Sequence, residues 1–245
     1  MKKSITYSIV LMLFALIQSA CNNGTQAAET AETKDSATSE KIQYSNSYSQ
    51  EDSGEKMEKQ NGMYDPSDIA KYWSKRTITV PGQKSDIVAL FEAFYAEWPT
   101  HEGNRIVHIT NPSLAPEDEY FEEGSVIDRK NGYVESAWYE GEHLGTVSAC
   151  IWNRKNGHKL FAVNFEVEND FLCFYDFDPA KRTLTPEASP IKKEHLNFPD
   201  KKPLWYKLPQ EGKTLEVVEN GPDDNIASTY YEFDGQNLKF AGHEE

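Results

Sequence analysis

The sequence predicts an α+β protein, mainly an antiparallel β meander of about ten strands with one main N-terminal helix packed on the sheet. Three observations predict it. From Arg105 onward apolar residues recur with period two. Turn dipeptides punctuate that alternation at Asn131-Gly132, Glu140-Gly141, Asn156-Gly157, Asn169-Asp170 and Asp234-Gly235. Ahead of it, Ile87, Leu90, Phe91, Phe94, Tyr95 and Trp98 recur at the spacing of three and four that defines one helix face.

The first element is an export signal over residues 1–20. Lys2 and Lys3 form a positive start, Ile9 to Ile17 are unbroken apolar residues, and Ser19 and Ala20 are small. Such a run is short for a membrane span and has the layout of a cleaved secretory signal. Cys21 follows directly. Ser19-Ala20-Cys21 resembles the lipobox of bacterial lipoproteins, with Gln18 standing where that family usually has Leu. The resemblance implies that Cys21 carries lipid and becomes the mature N-terminus, anchoring the protein to the envelope membrane without spanning it.

Residues 21–62 come next and are rich in Thr, Ser, Ala, Glu, Gln and Lys, with almost no aliphatic residues. That composition buries too little apolar surface to offset chain entropy, so it reads as a flexible tether. Residues 63–245 are then expected to form one globular antiparallel-sheet domain. In "YDPSDIAKYW" a short helix is expected, with Pro66 in its first turn and Asp65 or Ser67 as its cap. "TITV" at 77–80 is a brief strand, and the main helix runs over 85–98, capped by Ser85 and stopped by Pro99.

Strands are expected at 105–110, 125–129, 133–139, 144–154, 159–167, 171–177, 183–186, 204–208, 213–219, 228–233 and 237–241. Asn-Gly and Asp-Gly supply the positive φ values of two-residue hairpin turns. A two-residue turn at Asn156-Gly157 would pair Trp152 with Phe161, Cys150 with Val163 and Ser148 with Phe165. A similar turn at Asn169-Asp170 would pair Val167 with Leu172 and Phe165 with Phe174. This register puts Cys150 and Cys173 on opposite sides of the sheet with a strand between them, so two free buried thiols are expected.

The formal net charge of -15 repels phosphate backbones and argues against a nucleic-acid partner. His101, His108, His143, His158, His195 and His243 are scattered without metal-motif spacing, and no serine-nucleophile or phosphate-loop motif occurs. No catalytic residue, metal site or cofactor is therefore expected. Acidic residues gather in "PEDEYFEEG" (116–124), in "YDFD" with Asp176 and Asp178, and in "GPDDN" (221–225). Solvated loop charge is the simplest account, and paired carboxylates doing glycosidase work are the alternative. The adjacent aromatics Trp138-Tyr139, Trp205-Tyr206 and Tyr230-Tyr231 each place one member outward if they lie in strands, which suits a glycan or peptide ligand.

"WNRKNGHKLFAVNF" followed by "CFYDFDPAKRTLTP" resembles a recurring segment of uncharacterised secreted and lipid-anchored proteins of Bacteroidota. The resemblance implies an envelope location and transfers no site residue. The expectation is thus a lipid-anchored envelope protein, on the outer-membrane, periplasmic or surface side, acting as a non-enzymatic binding or assembly module. A hydrolase of glycans or peptides working through paired carboxylates is the second reading.

Overall fold

A computed structural model describes residue 59 and residues 62–114, 124–140, 143–166, 171–222 and 225–244. The signal, Cys21, nearly all of the tether, most of the 116–124 acidic stretch and the Asn169-Asp170 turn lie outside them. The α-helices among the described residues are α1 (Pro66–Tyr72), α2 (Ile87–Glu97) and α3 (His101–Thr110), with one short strand between the first two. Asp65 caps α1, accepting from the Ser67 amide at 2.7 Å, with Pro66 in its first turn. The cap of α2 is Asp86 rather than Ser85: its Oδ1 accepts from the Ala89 amide at 3.0 Å, and its Oδ2 accepts from Arg129 at 2.7 Å.

The strand expected at 105–110 is α3, so a second substantial helix stands beside the main one and the expected short helix α1. The Thr100 hydroxyl accepts from the Gly103 amide at 2.9 Å and starts a new helix directly after Pro99. Gly103, Asn104, Ile106 and Val107 then form its buried face. Two adjacent β-branched residues in a short segment resemble a strand locally; the cap and the stripe one turn long decide otherwise.

The strands are β1 (Ile78–Thr79), β2 (Val126–Asp128), β3 (Tyr133–Glu140), β4 (His143–Asn153), β5 (Lys159–Glu166), β6 (Phe171–Asp178), β7 (Thr183–Glu187), β8 (Trp205–Lys207), β9 (Thr214–Asn220), β10 (Ile226–Phe233) and β11 (Leu238–His243). They form two sheets rather than one. The larger has the order β1-β7-β6-β5-β4-β3-β2 and the smaller β11-β10-β9-β8, every pairing antiparallel. Each is a meander, with β1 added to the edge of the larger one beside β7.

Helices cover one face of the large sheet and the small sheet covers the other. On the helix side, Phe94 of α2 meets Phe161 at 6.3 Å and Tyr175 at 6.0 Å between ring centres. Each fully buried aromatic contributes about 1.5–3 kcal/mol relative to exposure. That packing, more than local propensity, holds an eleven-residue helix in place. On the other side, Cys150, Leu160, Ala162 and Phe174 meet Leu215, Val217, Tyr231 and Leu238, and Trp152 stacks on Phe233 at 6.0 Å. Among the described residues, no helix is long and apolar enough to cross a membrane.

The strand register differs from the expected one. Trp152 pairs with Leu160, Cys150 with Ala162 and Ser148 with Asn164. The reason is the turn: the Arg154 amide donates to the His158 carbonyl at 2.9 Å, leaving a three-residue loop closed by Gly157 at φ +86. In the next hairpin Phe165 pairs with Phe171 and Val163 with Cys173. Each slip is odd, so it exchanges the two faces of the strand. Phe161, Val163 and Phe165 consequently face the helices with Ala149 and Val147, while Trp152 and Cys150 face the small sheet.

Candidate functional site

The register orders the large sheet's inner face, the one turned to the small sheet, into rows. Tyr133, Cys150, Ala162 and Phe174 form one row, with Trp152, Leu160 and Asp176 in the next. In the opposite direction lie Glu135, Ser148, Asn164 and Leu172, and beyond them Ala137, Thr146 and Glu166. The middle is apolar and both ends are polar. The two ends do different things.

At the hairpin end, Arg154 is the hub. Its side chain is 6 % exposed; Nη1 pairs with Asp176, and Nη2 lies 2.6 Å from Glu187 Oε1. Asp176 Oδ2 also meets His158 Nδ1 at 2.7 Å. Burial pulls the Arg154 pKa down, but Glu187 and Asp176 more than reverse this and leave it above the ordinary guanidinium value. The Lys155 amide donates to the Gly235 carbonyl at 2.9 Å, so this hairpin also touches the β10–β11 turn. A guanidinium fork between two carboxylates on β6 and β7 joins strand ends.

The expected pair Asp176 and Asp178 does not converge on a common site. Asp178 caps the β6–β7 turn, accepting from the amides of Ala180 at 2.9 Å and Lys181 at 3.1 Å. The Lys181 side chain, followed by those amides, holds its carboxyl below the usual carboxylate range. A glycosidase acid needs the reverse, a carboxyl that keeps its proton near neutrality.

The histidines are dispersed as well. His195 stacks on Phe240 at 4.6 Å with Nδ1 3.3 Å from the Tyr231 hydroxyl, and His243 Nδ1 lies 3.2 Å from the Thr229 hydroxyl. Among the described residues no group of three His, Cys, Asp or Glu side chains is placed to hold a metal. Of the adjacent aromatics, Tyr231 is fully buried while Tyr230 is half-buried, and Trp205 and Tyr206 are both half-buried. The side chains of Trp138, Tyr139 and His143 lie outside the description. Cys150 and Cys173 are free and buried, one facing the small sheet and the other the helices.

The other end was not singled out from sequence. Glu135 accepts from the Tyr133 hydroxyl, and Glu166 Oε2 accepts from the Thr146 hydroxyl at 2.6 Å. Burial, reinforced by Glu135, pushes the Tyr133 phenol well above its ordinary value, so it stays a donor. Asn164 is 1 % exposed; its Nδ2 donates to the Tyr206 carbonyl of β8 at 3.0 Å, and its Oδ1 is buried without a partner. Glu135, Thr146, Glu166 and Leu172 are half-buried, whereas the next rows inward are closed. Among the described residues, this end of the inner face carries mainly hydrogen-bond acceptors. The signal was the polar spacing Thr146-x-Ser148 and Asn164-x-Glu166, which gathers on one face only in the correct register.

No protein-family model, curated protein or solved structure matches this chain. The fold and its two polar ends stand on their own geometry.

Proposed function

We propose that this protein is a bacterial envelope lipoprotein, anchored by lipid on Cys21, whose β-rich domain is a non-enzymatic binding or assembly module. The anchor is supported by the apolar run ending in Ser19-Ala20-Cys21, with the low-complexity residues 21–62 as its tether. The observation that carries the binding reading is the engagement of the carboxylates at the hairpin end and of Glu219 in the small sheet. Asp176 and Glu187 are held by Arg154, and Asp178 by its turn. Glu219 accepts from Asn197, Phe198 and Thr229. Acids fixed in this way organise strands and loops rather than exchange protons with a substrate.

The anchor is tested with Cys21→Ser, which should shift the protein from the membrane pellet to the soluble fraction or leave it as uncleaved precursor. Intact-mass measurement on the purified wild-type protein should show a diacylglyceryl adduct on Cys21. An unmodified mature terminus overturns the anchor. Turnover of a glycan or peptide by the domain overturns the non-enzymatic part.

A further inference from the structure

We infer that Asn156 is a modification site: its side chain deamidates spontaneously with water as the reactant, and the isoaspartyl product loosens the Arg154 hub. Three Asn-Gly pairs lie among the described residues, Asn131-Gly132, Asn156-Gly157 and Asn220-Gly221. Glycine, with no Cβ, lets its own nitrogen approach the preceding side chain, so all three share the local chemistry. The fold separates them.

The reaction consumes one water and releases one ammonia. The Gly157 nitrogen gives its proton to solvent base and attacks Asn156 Cγ, forming a C–N bond and placing negative charge on Oδ1. The Cγ–Nδ2 bond then breaks, Nδ2 takes a proton and leaves as ammonia, and a cyclic imide remains. Water opens either carbonyl of that imide, giving aspartate or isoaspartate.

Asn156 and Gly157 are both exposed. Asn156 Oδ1 accepts from the His158 amide at 3.0 Å. That bond turns the side chain along the chain toward Gly157 and sets an N–H donor on the oxygen where charge develops. The Gly157 amide donates to the Arg154 carbonyl at 3.0 Å, so attack needs only a local opening of one exposed loop bond.

The other two pairs are restrained. Asn131 turns backward: its amide donates to Asp128 Oδ1 at 3.0 Å and its Nδ2 donates to Asp128 Oδ2 at 2.8 Å. The carboxylate holds the side chain away from Gly132, and its charge opposes the anionic intermediate. Gly132 is itself buried, with its carbonyl accepting from the Ile151 amide at 2.9 Å. Asn220 ends β9 in register with Ile226, and the buried Gly221 donates its amide to the Asn225 carbonyl at 2.6 Å. The strand end must come apart before that nitrogen can attack.

The consequence reaches the hub. An isoaspartyl linkage carries the main chain through Cβ and Cγ, one methylene longer than before. The loop closes through the Arg154 amide to the His158 carbonyl at 2.9 Å and the Gly157 amide to the Arg154 carbonyl, and the longer chain breaks this match. Arg154 and His158 are the two side chains that hold Asp176.

The test ages full-length protein in a non-ionic detergent at mildly alkaline pH, with peptide mapping by mass spectrometry over time. Asn156 should deamidate about tenfold or more faster than Asn131 and Asn220. In urea-unfolded protein the three rates should converge. Asp128→Asn should speed Asn131 by removing the charge beside it. Loss of the two loop hydrogen bonds should lower the Tm of the isoaspartyl fraction by about 4–8 °C and shift its His158 ring signals in NMR. Asn156→Asp adds the charge without the methylene and should melt within about one degree of wild type.

Equal rates at the three sites in the folded protein, or a faster rate at Asn131 or Asn220, would overturn the site. So would the same ranking in urea, which would make local sequence rather than the fold the cause. An isoaspartyl fraction with unchanged Tm and His158 signals would overturn the link to the hub.

Discussion

Glu219→Gln is the most direct test of how the small sheet holds the segment that enters it. Glu219 is 2 % exposed on β9. Its Oε1 accepts from the Asn197 amide at 3.2 Å, the Asn197 side chain at 3.1 Å and the Thr229 hydroxyl at 2.6 Å, while Oε2 accepts from the Phe198 amide at 2.8 Å. One carboxylate therefore ties residues 197–198, in the connection between the sheets, to β9 and β10. Glutamine keeps one oxygen but turns an NH2 group toward the Phe198 amide, setting donor against donor. It also removes the charge that strengthens the other three bonds. One unsatisfied buried donor costs about 1–3 kcal/mol, and lost charge assistance adds to this, giving a loss of about 3 kcal/mol. For a chain of this size that lowers Tm by about 6–12 °C. Thermal unfolding followed by far-ultraviolet circular dichroism measures it. Glu219→Ala, which strands all of these donors, should fall further. If Glu219→Gln melts within about one degree of wild type, the carboxylate is not what fixes this segment.

Gly132→Ala should destabilise the β2–β3 hairpin, because Gly132 sits at φ +73 and an added Cβ would lie 2.4 Å from Ile151 Cγ1; an unchanged Tm would refute the close approach. Acid should loosen the hairpins. Backbone amides of the β2–β3 and β10–β11 turns hold Asp128 and Asp234 below the usual carboxylate range, and the Lys181 side chain does so for Asp178. A depressed folded pKa gives stability that is present above the unfolded value and lost as pH falls through the folded one. Tm should thus decline below about pH 4, and less steeply in Asp178→Asn. Alkali should act through buried phenols, since burial pushes Tyr95 up to about 12. A raised folded pKa gives stability that is complete below the unfolded value near 10 and lost as pH rises toward the folded one, so Tm should fall above about pH 10, and less so in Tyr95→Phe. Cys150 and Cys173 should take up alkylating reagent only after denaturation and without any reductant; uptake that requires reduction would mean a disulfide joins them.

What sequence made legible, and what it hid, follows from which faces are buried. The strands from β2 to β11 could be read because aromatic and β-branched runs end at Asn-Gly, Asp-Gly and similar turns, whose backbone needs are local. Their register could not be read in the same way. Hydrophobic alternation fixes register only where one face is wet, and β4 to β6 are covered on both faces, by helices and by the second sheet. A two-residue and a three-residue loop at Asn156-Gly157 then satisfy the apolar pattern equally well, and hydrogen bonds around Gly157 choose the longer one. This polar row was hidden for the same reason: Glu135, Ser148, Asn164 and Glu166 share a face only after the one-residue shift. The separation of the thiols survived because it depends on both turns together. The expected pairings Cys150 with Val163 and Phe165 with Phe174 become Cys150 with Ala162 and Phe165 with Phe171, a slip of one and then of three. Each odd slip exchanges faces, and two exchanges restore the original relation. Cys150 and Cys173 thus remain on opposite sides of β5 and of the sheet, where no disulfide can reach.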